Sequence, residues 1–181
     1  MIGPSASPIA IRPLTTADLP QAMAIQSLAY PAFRREDAAA FASRLTLRQS
    51  CCFAAIRTEA GGETLIAYLL AHGWPSRSPP AIGTILSEPK ECAVLFIHDL
   101  AVAPTGRGTA VGRRLVHSAI AVAARHGLQR AELIAVEGAA PYWQRLGFAE
   151  ETISPALADK VGGYGSTARW MTRPILPEIA V

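Results

Sequence analysis

The stretch LAVAPTGRGTAVGRRLVHSAI, residues 100–120, constrains this chain more than any other. An apolar, strand-like run enters it. A turn carrying Gly106, Gly108 and Gly112 follows, and an apolar-periodic helix leaves. Glycines lack a Cβ, so backbone there can approach a ligand closely. The first amides of the helix have no intrahelical acceptor and stand at the positive end of its dipole. Together these groups make a seat for an anion such as a diphosphate, to which Arg107 and Arg113 can add charge-assisted hydrogen bonds. The same turn also reads as a plain strand-to-helix connection with solvated arginines.

The flanking sequence narrows the choice. A P-loop needs Gly-Lys-Ser/Thr, and AVGRRL supplies neither the lysine nor the hydroxyl. A dinucleotide fingerprint opens a βαβ unit, whereas this run sits late, behind a hairpin and a long loop. IAIRPL (9–14) alternates like a short strand, and TTADLPQAMAIQSLAY (15–30) opens a helix with Thr15 or Thr16 as cap. REDAAAFASRLTL (35–47) is a second helix. SCCFAAIRT and TLIAYLLAHGW are strands about the turn EAGGE. PSRSPPAIGTILSEPK (75–90) is a long Pro/Ser loop of the kind that often carries function. CAVLFIHDLAVA (92–103) is apolar enough for a strand covered on both faces. After the helix at 110–126 come the strand RAELIAV, the short helix GAAPYWQRLG, the strand FAEETI and a last strand in GSTARWMTRPI. The order β-α-α-β-β-β-α-β-α-β-β predicts one mixed α/β domain over residues 1–181.

Composition excludes several classes. Half the residues are hydrophobic and 17% are charged, which is globular and not disordered. A net charge of +3 without a dense basic stripe argues against nucleic acid. No apolar run reaches membrane-spanning length. The three cysteines, Cys51, Cys52 and Cys92, have neither a disulfide nor a zinc spacing, so reduced thiols and a cytoplasmic protein are expected. MIGPSASPIAIRP lacks the pattern of a secretory leader.

At this point the chain resembles the Gcn5-related N-acetyltransferase superfamily. The likeness covers nearly the whole chain and is strongest from Leu95 to Phe148. One carrier is the pyrophosphate motif Arg/Gln-x-x-Gly-x-Gly/Ala behind a strand ending LAV-x-P, with Arg107 at its first position and Gly112 at its last. The other is aromatic-x-x-x-Gly-Phe, matched by YWQRLGF (142–148). Ala110 departs from the pattern, standing where the family usually has its first Gly. The resemblance implies an α+β-type fold: a central mixed, mostly antiparallel sheet of about seven strands with about four helices, splayed between the fourth and fifth strands. It implies acetyl-CoA as cosubstrate, no metal, and direct acyl transfer to an amine acceptor. Leu100, Ala101 and Val102 would pair with the pantetheine arm. Arg107, Gly108, Thr109, Ala110, Val111, Gly112 and Arg113 would hold the diphosphate, and Trp143 would pack against the arm.

The attacking amine must lose a proton, so an acceptor is required. His98 is the first candidate, because arylalkylamine acetyltransferases have a relay histidine in a similar H-x-LAV context and imidazole titrates near neutral pH. A buried structural histidine is the competing reading. Asp99 points to the opposite face if the strand is regular, and serves as a substrate carboxylate or a bulge acceptor. Glu137, ending the next strand, is a further base candidate. Many family members place an acid Tyr four residues before the Gly of GF, where this chain has Trp143. Tyr142 is adjacent, and neighbouring helix side chains diverge by about 100°. Tyr164 is a remote candidate. The resemblance puts the acceptor site near Tyr30, Phe33, Arg34, Arg35 and Trp74–Pro80, whose aromatics hint at an apolar or aromatic amine. Expected partners are acetyl-CoA and a primary amine of a small molecule, peptide or protein, in a monomer or homodimer without nucleic acid or membrane. Trp143 and Ala110 leave a second reading, a non-catalytic acyl-CoA-binding sensor or interaction module.

Overall fold

The structure, a computed structural model, describes residues 7–176. The first residues of the stretch without a leader pattern, and the two ends of the 1–181 domain, lie outside that range. The strands are β1 (Ile9–Pro13), β2 (Phe53–Glu59), β3 (Gly62–Trp74), β4 (Val94–Val102), β5 (Arg130–Ala135), β6 (Ala149–Glu150) and β7 (Arg169–Pro174). The helices are α1 (Leu19–Ala29), α2 (Ala38–Leu45), α3 (Val111–Arg125), α4 (Ala140–Arg145) and α5 (Pro155–Gly162). One seven-stranded sheet runs β1-β2-β3-β4-β5-β7-β6. Every neighbouring pair is antiparallel except β4–β5.

Local chemistry starts and stops the helices. Asp18 accepts the Thr15 amide and hydroxyl at 2.8 and 2.9 Å and is gripped by both arms of Arg12, which fixes the turn before α1. Asp37 caps α2 by accepting the Ala40 amide at 2.8 Å. α3 buries Val111, Leu115, Val116, Ala119 and Ala123 on one stripe and exposes Arg113, Arg114 and His117 on the other. It stops where Gly127 turns left-handed at φ 78°.

The sheet is covered on both faces. α3 and α4 pack on one through Leu69, Ala71, Leu95, Ile97, Leu133 and Met171. α1 and α2 pack on the other through Ala54, Ile56, Tyr68, Leu70 and Ala101. α5 builds a smaller cluster with Phe96 and Trp170. Cys51 and Cys52 are buried thiols, and burial pushes Cys51 up to about 12.

Three expectations need correction. α5 falls in a stretch, SPALADKVG, read from sequence as no element; its eight residues carry only Leu157 and Val161 into the core. FAEETI keeps just Ala149–Glu150 as strand. The last strand, expected to close the sheet, lies inside it between β5 and β6.

Two irregularities position the site. β4 and β5 pair only over Leu95↔Ala131, Phe96↔Glu132 and Ile97↔Leu133. β4 then runs on to Val102 without a partner on that side, so the sheet opens. On its other edge, Leu70 pairs with Asp99 and Ala71 with Ile97, leaving His98 as the extra residue of a β-bulge.

Candidate active site

The opening of the sheet leads to the N-terminus of α3. Among the described residues, no protein acceptor reaches the amides of Gly108, Ala110, Val111, Gly112 or Arg113, and Ala110 offers no side-chain cap. Five N–H groups therefore converge on a shallow hollow lined by Leu100, Val102, Arg107 and Tyr142. Ala110 is the N-cap, in the left-handed conformation at φ 58°. This explains the family preference for Gly at that position: the turn requires positive φ, which costs alanine but not glycine. At Gly112 a Cβ would sit 2.5 Å from the Tyr142 hydroxyl, so the glycine leaves room for that phenol over the turn.

A cleft continues from this hollow between β4 and β5, lined by Tyr30, His98, Leu100, Val136, Tyr142 and Trp143 among others. Tyr142 belongs to both spaces. It is half-buried, and burial raises its phenol above the ordinary value. Trp143 turns toward the core, edge-on to Tyr142 and Phe148 at 5.3 and 5.4 Å. The divergence of adjacent helical side chains thus gives the hydroxyl, not the indole, to the junction of hollow and cleft.

At the inner end of the cleft the bulge sets two consecutive side chains on one face. A regular strand would separate His98 and Asp99; the extra residue brings both to the α1–α2 side. Asp99 accepts the hydroxyls of Tyr30 and Tyr68, each at 2.6 Å. Burial raises its carboxyl despite those two donors. Both phenols are held well above 10, by burial first and by the Asp99 charge second.

His98 meets a group that sequence reasoning missed. Its Nε2 lies 2.5 Å from Oε1 of the buried Glu36. Glu36 Oε2 accepts from Arg44 at 3.0 Å and from the Gly83 amide at 2.5 Å. Arg44 is fully buried and also donates to the Ala40 carbonyl. Burial alone would push Glu36 up; the hydrogen bond from His98, the charges of His98 and Arg44 and the Gly83 amide outweigh it and hold the carboxyl below its usual range. Glu36 is therefore a carboxylate, and the proton in the short contact belongs to Nε2. The network thus assigns a proton to Nε2 of His98 and points that edge of the ring at the carboxylate. Arg44 Nη2, at 2.9 Å from the same Nε2, is then a neighbouring donor and not a partner. Neither Glu36 nor Arg44 sits in a motif. A faint signal is the pair of charges eight residues apart on an otherwise alanine-rich helix entry, one of which falls on the apolar side.

A second cavity adjoins the cleft across His98 and Asp99 and is lined by Gln26, Tyr30, Arg34, Glu36, Ile82 and Tyr164 among others. The Pro/Ser loop forms its outer wall. Gly83 bonds Glu36, Leu86 N–H donates to Ser43 Oγ at 3.0 Å, and the Pro80 carbonyl accepts the Tyr164 hydroxyl at 2.8 Å. Of the acceptor-side residues expected from sequence, Tyr30 and Arg34 line this cavity. Phe33 is exposed, and Trp74 turns away to donate to the Ser78 carbonyl and to meet His72 edge-on. Glu137 lines the cleft, but it is half-exposed and faces Arg34 at 3.1 Å, not His98. Among the described residues, no three His, Cys, Asp or Glu side chains group as a metal ion needs, and no helix is long and apolar enough to cross a membrane.

A split parallel strand pair with free helix amides beside its open end is the arrangement implied by the acetyltransferase resemblance. The family model described as the Acetyltransferase (GNAT) family matches residues 19–148, and the chain belongs to that family. No curated protein matches the sequence at a significant level. Solved structures share the fold. The ribosomal-protein-S18-alanine N-acetyltransferase of Escherichia coli aligns with a TM-score of 0.65 and 22% identity, over 96% of this chain and 99% of that one. Ard1 from Thermoplasma volcanium gives 0.67 and 16%, over 93% and 98%. The PaiA N-acetyltransferase of Thermoplasma acidophilum, solved with coenzyme A, gives 0.61 and 14%, over 92% and 99%. Family membership supports an acetyl-CoA-dependent acyltransferase.

Proposed function

We propose that this chain transfers the acetyl group of acetyl-CoA directly to a primary amine. The observation that carries the reading is the continuous passage from five unpaired amides at α3, past Tyr142, to the His98 bulge. Those amides and the exposed Arg107 and Arg113 fit a diphosphate. The unpaired edge of β4 from Leu100 to Val102 fits the amides of a pantetheine arm. Bound there, acetyl-CoA supplies an electrophilic thioester carbonyl at the bulge.

The chain's own groups then handle protons. The acceptor amine enters from the second cavity and arrives largely as ammonium. His98 Nδ1 takes its proton, while Nε2–H, held by Glu36, keeps the ring oriented and stabilises the imidazolium that forms. The neutral nitrogen forms the C–N bond as the C–S bond breaks, and the proton it sheds on becoming an amide makes up for the one given to the sulfur. Tyr142, at the mouth of the cleft, is placed to return a proton to the departing sulfur. Asp99 acts as a bolt: by receiving two phenols it fixes Tyr30 and the bulge together.

The test follows free CoA thiol over a panel of primary amines. Wild-type chain is expected to release CoA with matching N-acetyl product. His98→Gln is expected to lower kcat about 10²–10⁴-fold with acetyl-CoA binding retained. Tight CoA binding with no turnover across the panel contradicts the proposal and favours a non-catalytic acyl-CoA-binding module.

A further inference from the structure

One cation at the second cavity is only partly matched. The Arg34 side chain is only 9% exposed, yet its Nε and Nη1 have no hydrogen-bond partner among the described residues. Glu137 Oε1 lies 3.1 Å from Nε without an aligned N–H, on a side chain that is 56% exposed, and it leaves Nη1 without an acceptor. The other polar groups of the cavity are engaged. Gln26 exchanges hydrogen bonds with the Glu36 backbone at 2.9 and 2.7 Å. Glu36, Asp99 and Tyr164 are satisfied as described above.

The surroundings hold this guanidinium in place. Gly165, at φ +119°, leaves room where a Cβ would stand 2.7 Å from Arg34 Nη2. The Phe33 ring packs 5.4 Å from the guanidinium carbon. Arg34 and the His98–Asp99 bulge both line the same cavity. The space therefore offers a fixed positive charge on one wall and proton-accepting groups on another. An amine alone would leave the buried Nη1 of Arg34 without an acceptor, and an unsatisfied buried donor is unfavourable.

We propose that Arg34 receives a carboxylate of the acceptor, so that the substrate is a zwitterionic amino compound whose carboxylate and reacting nitrogen span the cavity. The planar fork suits a carboxylate with two parallel hydrogen bonds. This inference rests on the transfer reading above, and it replaces the apolar amine that the nearby aromatics suggest, since Phe33 and Trp74 do not line the cavity.

Paired acceptors test it: α-amino and ω-amino carboxylates of increasing length, each against its own carboxamide, with full-length chain saturated in CoA or acetyl-CoA. Binding is read by calorimetry and transfer by release of CoA thiol. At least one carboxylate is expected to bind and to react tenfold or more better than its carboxamide. Arg34→Gln is expected to erase that preference, chiefly through KM, and Arg34→Lys to keep part of it. Carboxamides that bind and react as well as the carboxylates overturn the inference and leave the transferase standing; this comparison uses wild-type chain and survives a variant that fails to fold. Carboxylate binding that Arg34→Gln abolishes, without any CoA release, keeps the Arg34 site and overturns the transferase. No binding by any carboxylate overturns the Arg34 site.

Discussion

At His98 the Nε2 edge of the ring is committed to a carboxylate 62 positions away in the chain. Glu36→Gln keeps the shape but removes the charge that fixes the Nε2–H tautomer and balances Arg44. Breaking a fully buried ion pair on one side costs about 3–5 kcal/mol. Urea unfolding should report that loss, and kcat should fall about 10–100-fold with an altered pH–rate profile, as for a lost orienting carboxylate. A purely structural Glu36 would leave the profile of the folded fraction unchanged. His72 makes a different prediction. Burial, and secondarily the charge of His98, pulls its imidazole down to about 3. Unfolded histidine titrates near 6.5, so as pH falls the unfolded chain binds this proton first. The stability lost through His72 therefore accumulates from pH 6.5 down to about 3. At pH 5 it amounts to about 2 kcal/mol. His72→Phe should flatten the fall in unfolding free energy between pH 7 and pH 5; an unchanged slope would count against a buried neutral imidazole.

At the level of elements, α3 and its turn were legible because their physics is local. Glycine spacing, arginines and a 3.6-residue apolar period all lie within one window, and the free amides appear where that window places them. The resemblance implied a bulge in this strand, but its position was not legible: VLFIHDLAV is apolar nearly throughout, and only its pairing with β3 shows that His98 is the extra residue. The Glu36–Arg44–His98 cluster joins a loop, a helix and a strand, so no spacing rule finds it. α5 escaped because eight residues with two buried side chains give little periodicity. The element-scale prediction concerns Ala110. Left-handed backbone costs a non-glycine residue about 1 kcal/mol or more. Ala110→Gly should raise the unfolding free energy by about that amount and Tm by roughly 2–4 °C, without weakening CoA binding. A lower Tm would show that the turn does not hold positive φ at this position.

Across the whole molecule, a single break in the sheet organises everything else. β4 leaves β5 after Ile97, and the gap connects the free amides at the start of α3 with a polar cavity on the α1–α2 side. The loop over residues 75–93 closes the far side and is tied down through Gly83, Leu86 and Pro80. In the proposed reaction the two substrates would approach the bulge from opposite faces, as direct transfer requires. The most direct measurement is an amide NMR titration of uniformly nitrogen-15-labelled chain with acetyl-CoA. The largest saturable shifts are predicted at Gly108, Ala110, Val111, Gly112 and Arg113, followed by residues along β4 from His98 to Val102. Saturable binding with those amides unmoved, or shifts centred away from the β4–β5 gap, would contradict the account.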